Sequence, residues 1–116
     1  MVVYLKKHLS EPWFSLVLLG LKTVEGRLNK GSFAQMKVGD VIEFANDDVG
    51  VERRVKVEIV KITKHETFEH LLQEKNIHKI LPGIDTISNG VRVYHRYYDP
   101  VDEKIFGVLS FDLVVI

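Results

Sequence analysis

Leu19-Gly20-Leu21-Lys22-Thr23-Val24-Glu25-Gly26-Arg27 marks an abrupt change of character: an apolar run ends in glycine and a polar segment begins two residues later. Upstream, Ser10-Glu11-Pro12 reads as a helix start, with Ser10 able to cap and Pro12 suited to a first turn that has no use for its missing amide proton. The helix spans 11–19. Trp13, Val17 and Leu21 recur at four-residue spacing, as do Phe14 and Leu18, which gives a broad apolar face ended by Gly20 as a left-handed cap. The segment Thr23 to Leu28 leaves that cap as a strand or extended arm. Alternation along it puts Thr23, Glu25 and Arg27 on one face and Lys22 elsewhere, unless Gly26 bends the chain.

On either side of this stretch the pattern is that of strands. Val2 to Lys6 opens the chain with strand character. Val38-Gly39-Asp40 turns into the strand Val41-Ile42-Glu43-Phe44, and Asn46-Asp47-Asp48-Val49-Gly50 turns out of it, so a hairpin is expected. On the returning strand Val55, Val57 and Ile59 alternate with Arg54, Lys56 and Glu58, after which Val60 and Ile62 take the apolar positions. That phase change predicts a bulge and a sheet that curls. Thr67 to Lys75 reads as a second helix through Phe68, Leu71 and Leu72, and Leu81-Pro82-Gly83 as a turn. Val91 to Tyr98 alternates like a strand at first, but Val93 with Tyr97 and Tyr94 with Tyr98 stack on a helix, and the helical reading is adopted. The last strand places Leu109, Phe111, Leu113 and Val115 on its core face.

With 116 residues, 46% of them hydrophobic, and 28% charged, the chain encloses one core and is read as a single domain over 1–116. The absence of cysteine excludes disulfides, thiol nucleophiles and cysteinyl metal sites. Sixteen basic residues balance sixteen acidic ones, so attraction of a polyanion requires a local patch. Such a patch is available in Lys6, Lys7, Lys22, Arg27 and Lys30, opposed in the first 30 positions only by Glu11 and Glu25, if folding gathers them near Arg92 and Arg96. The N-terminal order of residues is not that of a signal peptide, and Leu16 to Leu21 is too short to span a bilayer, so a cytoplasmic protein without a membrane partner is expected.

The Leu19 to Arg27 stretch, followed by Val38-Gly39-Asp40-Val41-Ile42-Glu43-Phe44, resembles the ASCH family of the PUA-like superfamily. Val91 to Tyr98 with Asp99-Pro100, Asp102-Glu103 and Gly107-Val108-Leu109 is similar to the small stand-alone ASCH proteins. The resemblance implies an α+β fold, a PUA-like curled β-barrel of about five or six strands with flanking helices, and a cleft associated with RNA or modified nucleosides. The superfamily includes RNA-binding modules, a reported ribonuclease activity and an amidohydrolase branch acting on N-acetylated cytidine. The lysine of that branch corresponds to Lys22, but its threonine corresponds to Glu25, so the hydroxyl nucleophile is missing there. Glu74 is the nearest candidate for its glutamate by order of elements.

The leading expectation is therefore an RNA-binding domain that accepts an unpaired nucleotide or modified base in a cleft formed by Lys22, Glu25, Arg27, His95, Arg96 and Tyr97. Cations would meet phosphate or base oxygens, Glu25 an amino group, and an aromatic ring one face of the base. Replacing Lys22 by alanine is expected to weaken binding without unfolding the chain. The alternatives are an amidohydrolase, with Lys22 and Glu25 as its catalytic pair, and a non-catalytic protein-interaction module whose mixed-charge surface contacts protein. Trp13 is read as core. His65-Glu66-Thr67-Phe68-Glu69 departs from a zincin motif at its last position, and His8, His65, His70, His78 and His95 give no metal-ligand spacing, so neither metal nor cofactor is expected.

Overall fold

A computed structural model describes residues 2–116. Five strands, β1 (Tyr4–His8), β2 (Val24–Leu28), β3 (Val41–Asn46), β4 (Arg53–His65) and β5 (Val108–Val115), form one sheet in the order β1-β3-β4-β5-β2. β1 runs parallel to β3, with Leu5 opposite Ile42, and every other pairing is antiparallel. The helices are α1 (Trp13–Leu18), α2 (Phe68–Glu74), α3 (Ile77–Ile80), α4 (Ile87–His95) and α5 (Pro100–Phe106), with a 3-10 turn over Gly31–Gln35. The fold is α+β, a curled half-barrel sheet flanked by helices, as the resemblance implies.

The curl has a local cause. The register of β4 against β5 shifts between Ile59 and Lys61, which is the bulge expected from the phase change. Val60 is the inserted residue and is exposed, so the apolar role expected of it passes to Ile62 alone, which is half-buried. An extra residue on one strand of a long antiparallel pair increases its twist, and the 13-residue β4 bends the sheet toward closure. The two edge strands, β1 and β2, are thereby brought to opposite sides of one opening.

α1 is shorter than the 11–19 expected, because Pro12 stands at its N-cap and Ser10 makes no capping bond. Only Trp13, Phe14 and Val17 are buried; Leu18 and Leu21 face solvent, so the apolar face is narrow. Gly20, at φ 76°, does close the helix: Leu21 N donates to Leu16 O at 2.9 Å and Gly20 N to Val17 O at 3.0 Å, the paired bonds of a Schellman turn. β1 begins two residues later than expected. α2 matches its expectation, with Thr67 Oγ1 capping His70 N at 3.0 Å, and the helical reading of Val91 to Tyr98 holds as far as His95: α4 starts earlier, at Ile87, and Arg96 to Tyr98 form the turn that follows it.

The core lies between sheet and helices and centres on Phe14, Phe44, Phe68, Leu71 and Phe111, all with 0% exposure. On β5, Leu109, Phe111 and Leu113 are buried as expected, but Val115 is exposed while Val108 and Ser110 on the other face are buried. β5 is an inner strand between β4 and β2, and α2 packs against it, so alternation fails there as a guide to burial. No helix among the described residues is long and apolar enough to cross a membrane.

Candidate functional site

The Schellman turn after α1 delivers the chain into β2, and Thr23 N is held by Lys79 O at 2.9 Å. Regular strand begins only at Val24, so Lys22 obeys the turn and not the pleat. Its side chain points inward, 1% exposed, and Nζ donates to Val24 O at 2.9 Å and to Ile80 O while lying 3.5 Å from Glu25 Oε1. This corrects the expectation that Lys22 faces away from Glu25. Glu25 Oε1 also accepts from Gly26 N at 3.1 Å, and Oε2 accepts from Arg27 Nε and Nη2 at 3.3 and 3.2 Å. Arg27 in turn stacks its guanidinium 4.6 Å from the Phe33 ring centroid.

The electrostatics follow from burial and pairing. Burial pulls the Lys22 ammonium below the ordinary lysine range, and Glu25 opposes that pull. Burial alone would raise Glu25, but Lys22 and Arg27 outweigh it and hold the carboxyl below its usual range, so the group is ionised at neutral pH. Burial likewise works against the charge on Arg27, and Glu25 overcomes it.

α4 supplies the facing wall. Tyr94 lies flat on Phe68, with centroids 4.2 Å apart and rings inclined by 10°, and Tyr98 stacks on the same ring at 5.2 Å. Tyr94 reaches past β2 because residue 26 is glycine: a Cβ there would stand 2.7 Å from the Tyr94 hydroxyl and 2.6 Å from Leu71 Cδ2. Among the described residues the hydroxyl is buried without a hydrogen-bond partner, since Gly26 N, which lies near it, donates to Glu25 Oε1; burial raises Tyr94 well above the ordinary phenol range. Tyr97 extends toward the end of β1, where its hydroxyl and Ser10 Oγ are 3.0 Å apart.

These groups surround a cavity of about 270 Å³ between the two sheet edges, closed by Trp13, Leu81 and Val93 and by His8 and Leu9 on the β1 side. Trp13 is 8% exposed, so it is a core residue as expected and also lines the cavity. Lys22, Glu25, Arg27 and Tyr97 are therefore brought together. His95 and Arg96 are not: His95 Nε2 is 2.8 Å from Glu103 Oε1, and Arg96 is exposed outside the lining. Glu74 is also elsewhere, exposed and 3.5 Å from His65 Nδ1.

The expected basic patch divides. Lys22 is buried, Lys6 pairs with Glu43 at 3.8 Å, and Arg92 Nη1 donates to Asn89 Oδ1 at 3.4 Å, while Lys7 and Lys30 line a groove beside Arg27. Sequence reasoning left out His8, Leu9 and Ser10, whose position depends on the curl, and did not single out Tyr94 or Tyr98 as site residues. His8, Asp47 and Asp48 place ligand atoms within 4.8 Å of one another, but all three are exposed, and Asp48 Oδ2 already accepts from Asn46 Nδ2 and Glu11 N.

A family model described as the ASCH domain matches residues 8–114. The crystal structure of the hypothetical protein PH0355 superposes with a TM-score of 0.87 at 32% identity, over 98% of this chain and 100% of that one. The solution structure of PF0455 from Pyrococcus furiosus gives a TM-score of 0.76, also at 32% identity, over 100% of this chain and 98% of that one. A comparison with curated proteins finds no match. With the curled sheet, the polar stretch after Gly20 and nearly the whole length accounted for, the chain belongs to the ASCH domain family of the PUA-like superfamily.

Proposed function

We propose that this domain binds the base of an unpaired RNA nucleotide, or of a modified nucleoside, in the cavity between its sheet edges, and that it does so without catalysis. Membership of the ASCH family suggests RNA- or nucleoside-related binding. The observation that carries the finer reading is the lining itself: Trp13, Tyr94, Tyr97 and Tyr98 surround a cavity that also holds Lys22, Glu25 and Arg27, and the Tyr94 hydroxyl is buried without a partner among the described residues. Leaving such a group unsatisfied costs about 1–3 kcal/mol, and a ligand polar atom removes that cost. Size agrees: about 270 Å³ lies just under the usual range for ligand pockets and suits a planar group of base or nucleoside dimensions. Trp13, Tyr97 and Tyr98 offer ring surface for stacking, and the floor is a closed charge network.

The amidohydrolase reading draws support from one feature, the lowered pKa of Lys22, which a general base requires. Against it stands the donor count. An ammonium has three N–H groups, and Val24 O, Ile80 O and Glu25 Oε1 provide three acceptors, which favours the protonated form that cannot take a proton.

Trp13 is the sole tryptophan of the chain, so quenching of its fluorescence reports on the cavity directly. Titration with free and N-acetylated nucleosides and with short single-stranded RNAs is expected to give saturable quenching. Tyr94→Phe is expected to weaken binding about tenfold, the loss of one hydrogen bond to ligand, while leaving the melting temperature unchanged or higher. Absence of saturation with every ligand, or undiminished binding by Tyr94→Phe, would refute the reading; acetate released from N-acetylated cytidine would replace it with the hydrolytic one.

A further inference from the structure

Arg27, Tyr97 and Tyr98 line the cavity and also a second concavity of about 330 Å³. Lys7 from β1, Lys30 just after β2, Phe33, and Asp99 and Asp102 at the start of α5 complete its lining, with Lys30 Nζ also 4.9 Å from the ring centroid of Phe106 on α5. Two cations share the Phe33 ring, with Lys7 Nζ 5.6 Å and the Arg27 guanidinium carbon 4.6 Å from its centroid. Neither Lys7 nor Lys30 forms an ion pair among the described residues, although two carboxylates line the same groove. Asp99 is committed to the backbone, accepting from Val101 N at 2.7 Å. Arg27 directs Nε and Nη2 at Glu25 Oε2, which leaves the Nη1 edge of its planar fork to other acceptors. The groove thus combines two ammonium groups that form no ion pair among the described residues with the guanidinium of Arg27, and shares lining residues with a cavity of base dimensions.

We propose that this groove takes the phosphate esterified to the nucleoside whose base occupies the cavity. The ligand is then a nucleotide, free or within a strand, in preference to a nucleoside. The ribose crosses the partition formed by Arg27 and Tyr97, and the phosphate meets Lys7, Lys30 and Arg27 in preference to the carboxylates of Asp99 and Asp102 in the same lining. This rests on the base-binding reading above and adds the charged half of the ligand to it. Arg27 serves both compartments, held in place by Glu25 on one side and by Phe33 on the other.

The experiment compares the four common nucleosides, their 5′- and 3′-monophosphates and short single-stranded RNAs on wild-type protein and on Lys7→Gln/Lys30→Gln, using Trp13 fluorescence. Neither lysine lines the cavity, and neither is buried, so the variant retains its fold; circular dichroism checks this. Wild-type protein is expected to prefer at least one monophosphate over its nucleoside about tenfold or more, with affinity falling as salt rises, because each phosphate contact releases counterions. In the variant the preference and the salt dependence disappear while nucleoside affinity is unchanged. Preference for monophosphates over strands, or the reverse, identifies the source of the phosphate. Equal wild-type affinity for nucleoside and nucleotide would overturn the proposal while sparing the base-binding reading. Salt-dependent RNA binding lost in the lysine variant but untouched by Tyr94→Phe would overturn the base-binding reading and spare the groove, and no binding of any ligand would overturn both.

Discussion

Replacing Lys22 by alanine removes the one donor shared by Val24 O, Ile80 O and Glu25 Oε1. In the sequence this lysine reads as a strand-flanking cation that can be cut back at the expense of binding alone. Its 1% side-chain exposure reverses that expectation. Two carbonyl groups lose a partner, and Glu25, itself 6% exposed, keeps only Arg27 as a counter-charge. Removing one member of a buried ion pair costs about 3–5 kcal/mol. Stability of roughly 0.05–0.15 kcal/mol per residue gives a 116-residue chain about 6–17 kcal/mol in all, so the variant forfeits a large fraction of it. At about 4 °C per kcal/mol near this size, the melting temperature falls by about 12–20 °C. Lys22→Met retains the stem that packs near Trp13, whose ring centroid is 5.8 Å from Nζ, and isolates the charge from the packing. Lys22→Met/Glu25→Leu is expected to recover part of the loss, since Arg27, with 17% of its side chain exposed, has solvent within reach and Glu25 does not. Urea unfolding followed by Trp13 fluorescence and far-ultraviolet circular dichroism measures each variant. If Lys22→Ala and Lys22→Met both unfold within about 1 kcal/mol of wild type, the ammonium does not hold this network together and the reasoning fails.

Gly26→Ala places a methyl group 2.6 Å from Leu71 Cδ2 and 2.7 Å from the Tyr94 hydroxyl; since Tyr94 is pinned on Phe68, about 1–3 kcal/mol of stability is expected to be lost along with ligand binding. Denaturation and titration of the same preparation test this, and an unaltered protein would mean that Tyr94 repacks freely. A pH effect is expected from His65, whose side chain is 0% exposed, with Nε2 2.8 Å from Ser110 Oγ. Burial lowers its pKa below the unfolded value of 6.5, Glu74 only partly opposing, so the unfolded chain binds the proton more readily than the folded one. The contribution is therefore complete above about pH 6.5 and is lost as pH falls through the lower folded value. His65→Gln should flatten urea stability in that window, and an unchanged slope would assign it to other groups.

The parts of the fold that follow local rules were open to inspection in the sequence. The change of phase at Ile59 and Val60 announced the bulge, because side chains alternate on a strand with a period that an inserted residue must break. Val93 with Tyr97 and Tyr94 with Tyr98 announced a helix through their spacing; α4 supplies its first part, to His95, and Tyr98 N still bonds Tyr94 O at 2.9 Å in the turn beyond. α5 carried its own signal, a capping Asp99, Pro100 in the first turn and Asp102-Glu103 behind it, though only the resemblance drew attention to it. The same helical geometry separates the aromatic residues: Tyr94, Tyr97 and Tyr98 fall at i, i+3 and i+4, whereas His95 and Arg96 turn away from that face. Grouping His95 and Arg96 with Tyr97 in one cleft overlooked that separation. What no local rule supplied was the inward turn of Lys22, set by the exit from α1, and the meeting of Ser10 with Tyr97, 87 positions apart, which requires the sheet to curl.

Counting lone pairs sharpens what the cavity is able to do. An ionised carboxylate offers about four acceptor sites. Glu25 meets Gly26 N and Lys22 Nζ through Oε1, and Arg27 Nε and Nη2 through Oε2, so its capacity is occupied before any ligand arrives. Lys22 is occupied in the same way by its three acceptors. The most strongly charged residues of the site are thus its best satisfied ones, and their charges balance locally except for the surplus on Arg27, which lines the groove together with Lys7 and Lys30. An activated nucleophile or base needs the opposite condition, a group held with its reactive lone pair unspent. What stays unspent among the described residues is a neutral phenol, on the cavity-lining Tyr94, and the faces of the aromatic rings. A neutral, planar, hydrogen-bonding group is the natural complement to that remainder, and an anion is the complement to the surplus beside it, which is why the proposed reading gives the base to the cavity and the phosphate to the groove.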